Sequence, residues 1–124
     1  MHFTIEKEVI MHRKHFLATL TLGLFLAFPA TGLAQGKVLI TSPADGAILD
    51  AMDENHLVYE VDPGPRGDHV HVYADNREIG ILRKLKGSYL LESLSSGTRN
   101  LCVKVVNKAH VPVGIEQCVK VTVK

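Results

Sequence analysis

Two histidines separated by one residue are the clearest candidates for chemistry in this sequence. His69 and His71 lie in the run His69–Ala74 (HVHVYA), where valines alternate with other residues. That alternation predicts a β-strand, and side chains two apart on a strand leave the same face, about 6–7 Å from each other along it. Neutral imidazoles placed in this way suit a shared zinc, copper or nickel ion. A third histidine, His110, follows much later in the chain.

A structural interpretation of these histidines competes with the metal site. Histidine on the solvent face of a strand is ordinary, and the charges of Lys104 and Lys108 would oppose a cation near the same patch. Met52 is the only methionine after residue 34, so a thioether-rich copper(I) site is not available. The candidate ligands are therefore imidazoles, and the candidate ions are copper and zinc.

Other chemical signatures are missing from the sequence. It has no G-x-S-x-G elbow, no P-loop, no H-E-x-x-H and no zinc-ribbon cysteine spacing, so we predict that the protein is not an enzyme. Three of the 14 basic and two of the 13 acidic residues precede residue 35, which leaves the remainder formally neutral. A neutral domain lacks the charge that would predict nucleic acid or an anionic membrane as a partner.

The histidine strand is one of a series of short β-rich runs. Turn residues separate these runs at fairly regular intervals, and no stretch has a helical period, which is typical of an all-β sandwich or barrel. We predict an immunoglobulin-like antiparallel β-sandwich of about seven strands, at Lys37–Thr41, His56–Val61, His69–Ala74, Glu78–Leu82, Ser88–Glu92, Leu101–Val106 and Ile115–Val123.

The two cysteines predict the pairing of the last two strands. If Cys102 opposes Cys118 as a disulfide, Leu101 faces Val119 and Val105 faces Ile115 on an apolar side. The same register sets Lys104 opposite Glu116, an opposite-charge pair. In an exported protein an even pair of cysteines indicates a disulfide, and one closing a loop of this size stabilises the fold by about 3 kcal/mol.

This topology predicts that the third histidine joins the first two. In an immunoglobulin-like sandwich the B–C and F–G loops lie at one end, and strands C and F are neighbours. His69 opens the predicted strand C and His110 lies on the predicted F–G loop, so we expect His69, His71 and His110 to converge. Asp68, Tyr73 and Asp75 are candidates for supporting contacts or a fourth ligand.

Residues 1–34 have the pattern of a secretion signal. A basic region at 12–15 precedes the uncharged run Phe16–Phe28, and the small residues Gly32 and Ala34 stand before a cut at Gln35. We predict a Sec-type signal-peptide helix over 1–34, cleaved near Ala34–Gln35, and an immunoglobulin-like domain over 35–124. The mature domain would be periplasmic or secreted, with no membrane attachment.

The first ten residues depart from the signal pattern. Glu6 and Glu8 precede the basic region, where signal peptides normally avoid acidic residues. We interpret residues 1–10 as a mis-assigned start and Met11 as the true one.

Several short motifs resemble those of a bacterial family. The segments Ser42–Ala47 (SPADGA), Gly67–Asp75 (GDHVHVYAD) and Ala109–Pro112 (AHVP) look like uncharacterised bacterial periplasmic immunoglobulin-like domains. Those domains carry a P-x-D-G-A segment, a G-x-H-x-H-x-x-x-D strand and an H-x-P loop. The resemblance implies a sandwich with clustered histidines at His69, His71 and His110 and with the family's acidic residue at Asp75. The chain is also similar in plan to periplasmic copper-resistance sandwiches, whose N-terminal histidine and methionine-rich loop it lacks.

Two functions remain open on the sequence alone. The first is an exported, non-catalytic binding domain that holds copper or zinc through His69, His71 and His110. The alternative is a structural or adhesion module without metal that recognises a protein or glycan partner through its loops or a sheet edge.

Overall fold

The computed structural model describes residues 35–124 and, ahead of them, Gly23 alone. The predicted signal peptide and the predicted start at Met11 lie outside the described residues. Residues 35–124 form eight strands and no helix: β1 Lys37–Ser42, β2 Ile48–Leu49, β3 His56–Asp62, β4 His69–Ala74, β5 Arg77–Leu82, β6 Lys86–Leu90, β7 Gly97–Val106 and β8 Pro112–Val123. No helix in this part of the chain is long and apolar enough to cross a membrane.

The strands form two sheets packed as a sandwich. One sheet has the order β1-β3-β6 and the other the order β2-β8-β7-β4-β5. Every pairing is antiparallel except that of the two-residue β2 with β8. Strand β2 is absent from the seven predicted strands and brings the number of strands to eight. The predicted immunoglobulin-like β-sandwich is confirmed.

Alternating apolar residues fill the space between the sheets. Leu57 in β3 and Val70 and Val72 in β4 have no exposed surface, and each such side chain contributes about 1.5–3 kcal/mol by leaving water. Because successive residues of a strand point to opposite faces, the inward valines of β4 direct His69 and His71 to the outer face of the five-stranded sheet.

The β7–β8 hairpin confirms most of the predicted register. Cys102 opposes Cys118, Leu101 opposes Val119 and Lys104 opposes Glu116. The predicted pairing of Val105 with Ile115 is wrong, because the register shifts between Lys104 and Val106, and Val106 pairs with Pro112. Two extra residues of β8 are accommodated there, beside Gly114 at a φ of 88°, a conformation that glycine adopts without strain.

The other predicted strands agree with the structure except near their ends. Strand β4 has the predicted bounds. The strand predicted at Ser88–Glu92 lies earlier, at Lys86–Leu90, because its ladder with β3 ends where Leu90 meets His56, the first residue of β3.

The β3–β4 loop (residues 63–68) and the β7–β8 loop (residues 107–111) lie side by side. Strand β4 pairs with β7 so that His69 opposes Val106, and the backbone N–H of Asp68 donates to the carbonyl of Val106 at 2.8 Å. The predicted strands C, F and G correspond to β4, β7 and β8, and the two loops meet as that topology requires.

Candidate metal centre

Three imidazole nitrogens converge at this end of the sandwich. His69 Nε2 lies 3.1 Å from His71 Nε2, and His110 Nδ1 lies 3.2 Å from the first and 3.0 Å from the second. We call His69, His71 and His110 the histidine cluster. Its three nitrogens form a nearly equilateral triangle, so the convergence expected from the topology is present in the structure.

His69 and His71 are buried although they lie on the outer face of the sheet. Only 1% of His69 and 3% of His71 is exposed, whereas the structural interpretation assumed a solvent face. The rings cover one another and are covered by His110, with ring centroids 4.7–5.1 Å apart. This burial separates the pair from ordinary surface histidines.

The β7–β8 loop holds His110 in position. His110 has a φ of 62°, a left-handed conformation that is uncommon for residues other than glycine. The Asn107 side-chain oxygen accepts the backbone N–H groups of Ala109 at 2.9 Å and Val111 at 3.0 Å. The backbone of Asn107 also bonds to those of His110 and Val111. These local bonds set the ring of an exposed residue over two buried ones.

Two carboxylates fix which nitrogen of each buried histidine carries the proton. Asp68 Oδ2 lies 2.9 Å from His69 Nδ1, and Glu78 Oε1 lies 2.8 Å from His71 Nδ1. A carboxylate only accepts hydrogen bonds, so both Nδ1 atoms donate and both Nε2 atoms carry a free lone pair. Histidines that bind metal ions are oriented in the same way by a carboxylate on the second nitrogen.

When both rings are neutral, two acceptor nitrogens therefore face each other across 3.1 Å. At most one proton, on His110 Nδ1, is available to lie between three neutral rings. Lone pairs this close repel each other unless a proton or a metal ion lies between them, and protein interiors strengthen that effect because they screen charge weakly. The cluster therefore has the donor arrangement of a cation site.

Two carboxylates, Asp68 and Glu78, offset part of the positive charge that Arg83 and Lys108 place near the cluster. Burial lowers the pKa of His71, and the Glu78 carboxylate partly opposes that shift. The lowered pKa favours the neutral form, which is the form that binds a metal ion. Lys104, expected to repel a cation, has its Nζ 3.5 Å from Glu116 and 4.7 Å from the centre of the Tyr73 ring, so a carboxylate offsets its charge.

Two of the candidate supporting residues do not contact the nitrogen triangle. The Tyr73 ring centroid is 6.4 Å from that of His71. Asp75 lies at the other end of β4, where its carboxylate accepts the backbone N–H of Asn100 at 2.9 Å and a bond from Arg99 at 3.1 Å. The Asn100 bond, followed by Arg99, holds the pKa of Asp75 below its usual range.

The sequence interpretation missed Glu78 and Arg83. Asp75 and Asn76 both have a positive φ, which is the two-residue turn that their types favour. That turn sets Tyr73 opposite Glu78, and Tyr73 shares a face with His71. The turn chemistry could therefore have indicated a carboxylate beside His71. Arg83 Nη1, which lies 3.7 Å from Asp68 Oδ2, follows β5 and carried no such signal.

Cys102 and Cys118 form the predicted disulfide, with their Cα atoms 4.0 Å apart. Their sulfur atoms and Glu116 also lie close together. Because a disulfide has no thiolate to offer, this second group is not a metal site.

Solved structures with the same fold support the architecture. The chain is similar to the fibronectin(III)-like modules of CbhA from Clostridium thermocellum, with 22% identity, a TM-score of 0.59, and coverage of 70% of this chain and 94% of that one. An engineered protein matches at 20% identity and a TM-score of 0.52, over 74% of this chain and 21% of that one.

A weaker likeness is to the extracellular domain of a one-component system from B. thetaiotaomicron. It has 11% identity, a TM-score of 0.46 and coverage of 71% of this chain and 15% of that one. No protein-family model and no curated protein matches the sequence. At these identities the comparisons show the fold alone.

Proposed function

We propose that this protein is an exported, non-catalytic domain that binds one divalent transition-metal ion through His69, His71 and His110. The observation that carries this proposal is the triangle of three nitrogens 3.0–3.2 Å apart. Two of these nitrogens are left unprotonated because a carboxylate accepts the proton of the other nitrogen of the same ring. The resemblance to periplasmic immunoglobulin-like domains and the signal-peptide pattern support a location outside the cytoplasm.

The shape of the triangle favours zinc over copper(II). An ion at the ~2.0–2.1 Å of a zinc–imidazole bond would lie about 1 Å out of the plane of the three nitrogens, with N–Zn–N angles of about 95–100°. Such angles fall between ~90° and the ~109° of a tetrahedron, and zinc accepts them because its filled d shell imposes no preferred geometry. A square-planar copper(II) site needs one pair of donors on opposite sides of the ion, about 4 Å apart, whereas no pair here exceeds 3.2 Å.

Calorimetric titration of Zn²⁺ into the purified chain, with its disulfide formed, tests the proposal. We expect one ion per chain, a dissociation constant in the micromolar range or below, and weaker binding of Cu²⁺ than its place above Zn²⁺ in the usual affinity order would predict. His110→Asn removes one ligand, and asparagine tolerates the left-handed backbone at this position. The zinc affinity of this variant is expected to fall by more than the ~10–100-fold that loss of a supporting contact causes.

His56→Asn is the matched control. His56 is an exposed histidine on β3 whose ring bonds to Ser88 at 3.1 Å, outside the histidine cluster. We expect this variant to bind zinc as the unaltered chain does. Absence of zinc binding, or equal binding by the His110→Asn variant, would refute the proposal and leave a module that recognises a protein or glycan as the function to pursue.

A further inference from the structure

The histidine cluster can surround only one side of an ion. Because the three nitrogens are mutually 3.0–3.2 Å apart, an ion bonded to all three lies out of their plane and meets them on one hemisphere. A tetrahedral zinc ion then has a fourth position to fill. The ligand at that position determines what the site does beyond holding the ion.

The described part of the chain offers no fourth histidine, cysteine or carboxylate donor at this site. Within residues 35–124, the cluster is the complete group of histidine, cysteine and carboxylate ligand atoms lying within 4.8 Å of one another at this site. Asp68 and Glu78 bond to Nδ1 of His69 and His71, on the side of each ring away from the triangle. These carboxylates orient the ligands and are not placed to bind the same ion.

A groove borders the site between the two loops. Residues 65–68 and 107–109 line a space of about 390 Å³. The chain runs directly from these walls into the ligands, from Asp68 to His69 and from Ala109 to His110. His110 is exposed, so the groove adjoins a ligand of the cluster that solvent can reach.

The charges around the groove favour an anion. Arg66 and Lys108 line it, and Arg83 lies beside Asp68. A bound divalent ion and these three cations together outweigh the two carboxylates, Asp68 and Glu78. The net charge of the ion and the five side chains is then +3. A positive potential in a concave site raises the local concentration of anions.

We propose that the fourth coordination position binds a small carboxylate anion that enters through this groove. The inference rests on the proposed function of the same site, because the carboxylate oxygen would bond to the ion held by the histidine cluster. Arg66 and Lys108 act on the anion through their charge, so they are positioning residues that select an anion over a neutral donor.

The test uses the full chain loaded with Co²⁺, whose visible spectrum changes with its coordination. We expect acetate, added at constant ionic strength, to change the spectrum saturably. The variant Arg66→Gln/Lys108→Gln is expected to bind acetate several-fold more weakly and to bind imidazole, a neutral donor, unchanged. Lys120→Gln/Lys124→Gln, which removes the same net charge near the C-terminal end of β8, where Lys120 pairs with Asn100, is the control and is expected to bind acetate normally.

The outcomes separate this inference from the proposed function. If Co²⁺ produces no protein-bound spectrum, the metal site itself is refuted. If the spectrum forms and acetate leaves it unchanged while imidazole alters it, the anion proposal is overturned and the metal site stands. If both double variants weaken acetate equally, the groove has no part in selecting the anion, which also overturns the proposal.

Discussion

Replacing Glu78 with alanine is expected to weaken zinc binding although no metal ligand is removed. Glu78 Oε1 accepts the proton of His71 Nδ1 at 2.8 Å, which keeps His71 Nε2 free. Without that acceptor the ring can carry its proton on Nε2, and its orientation depends on packing alone. Loss of such a contact lowers metal affinity about 10–100-fold, equivalent to about 1.4–2.7 kcal/mol.

Two further variants separate the hydrogen bond from the charge. Glu78→Gln keeps an oxygen that can accept from His71 Nδ1 but removes the negative charge. We therefore expect its zinc affinity to lie between that of the unaltered chain and that of Glu78→Ala. Asp68→Asn does the same at His69, where Asp68 Oδ2 lies 2.9 Å from Nδ1. A charged acceptor bonds roughly twice as strongly as a neutral one, which sets the order of the variants.

Zinc affinity measured by competition with a chromogenic chelator at neutral pH tests this reasoning. Glu60→Ala is the matched control, since it removes an equal charge from the other sheet and breaks only an exposed pair with Lys86 at 3.7 Å. Such pairs contribute about 0–1 kcal/mol to stability, and this one does not touch the cluster. If Glu78→Ala binds zinc normally, or Glu60→Ala weakens zinc binding equally, the proposed role of Glu78 is wrong.

Three other results are expected. Zinc at ~100 times its dissociation constant stabilises the native state by about 2.7 kcal/mol, which for a domain of this size raises Tm by about 10–20 °C in a scanning measurement; no shift would contradict native-state binding. Cys102→Ala/Cys118→Ala is expected to lower the free energy of unfolding by about 2–4 kcal/mol in urea titrations, and an unchanged midpoint would contradict the stabilising role. Folding lowers the pKa of Asp75. The ionised Asp75 side chain therefore stabilises the folded state above the ordinary carboxyl pKa, and this stabilisation is lost as the pH falls through the pKa of the folded state. Asp75→Asn is therefore expected to have a lower free energy of unfolding than the unaltered chain at neutral pH. The difference between the two is expected to narrow in acid, whereas it would stay constant if the pKa were unshifted.

Much of the fold follows from local patterns in the sequence. The alternation in His69–Ala74 gave the bounds of β4, and the two cysteines gave the pairing of β7 with β8 as far as Lys104. The register shift beyond Lys104 depends on Gly114 adopting a positive φ. A glycine permits such a bulge without requiring it, so sequence alone could not predict it.

The sequence predicted which residues form the histidine cluster but not how deeply His69 and His71 are buried. Sandwich topology brings the β3–β4 and β7–β8 loops together whatever their sequences, which is why the meeting of His110 with His69 and His71 could be expected. Their near-complete burial arises from the rings covering one another, and that depends on side-chain positions that no period-two pattern contains. Arg83 was missed because the register shift between Val72 and Tyr73, which brings the end of β5 to the start of β4, has no signal in the sequence.

The placement of the cluster separates metal binding from folding. On β4, Val70 and Val72 pack into the core while His69 and His71 leave the opposite face of the same strand, so the hydrophobic core forms without the cluster. Zinc bound at the cluster is therefore expected to add stability to a domain that already folds without it. His110 lies on a loop outside the core, and its replacement is therefore expected to abolish tight zinc binding while the sandwich remains folded.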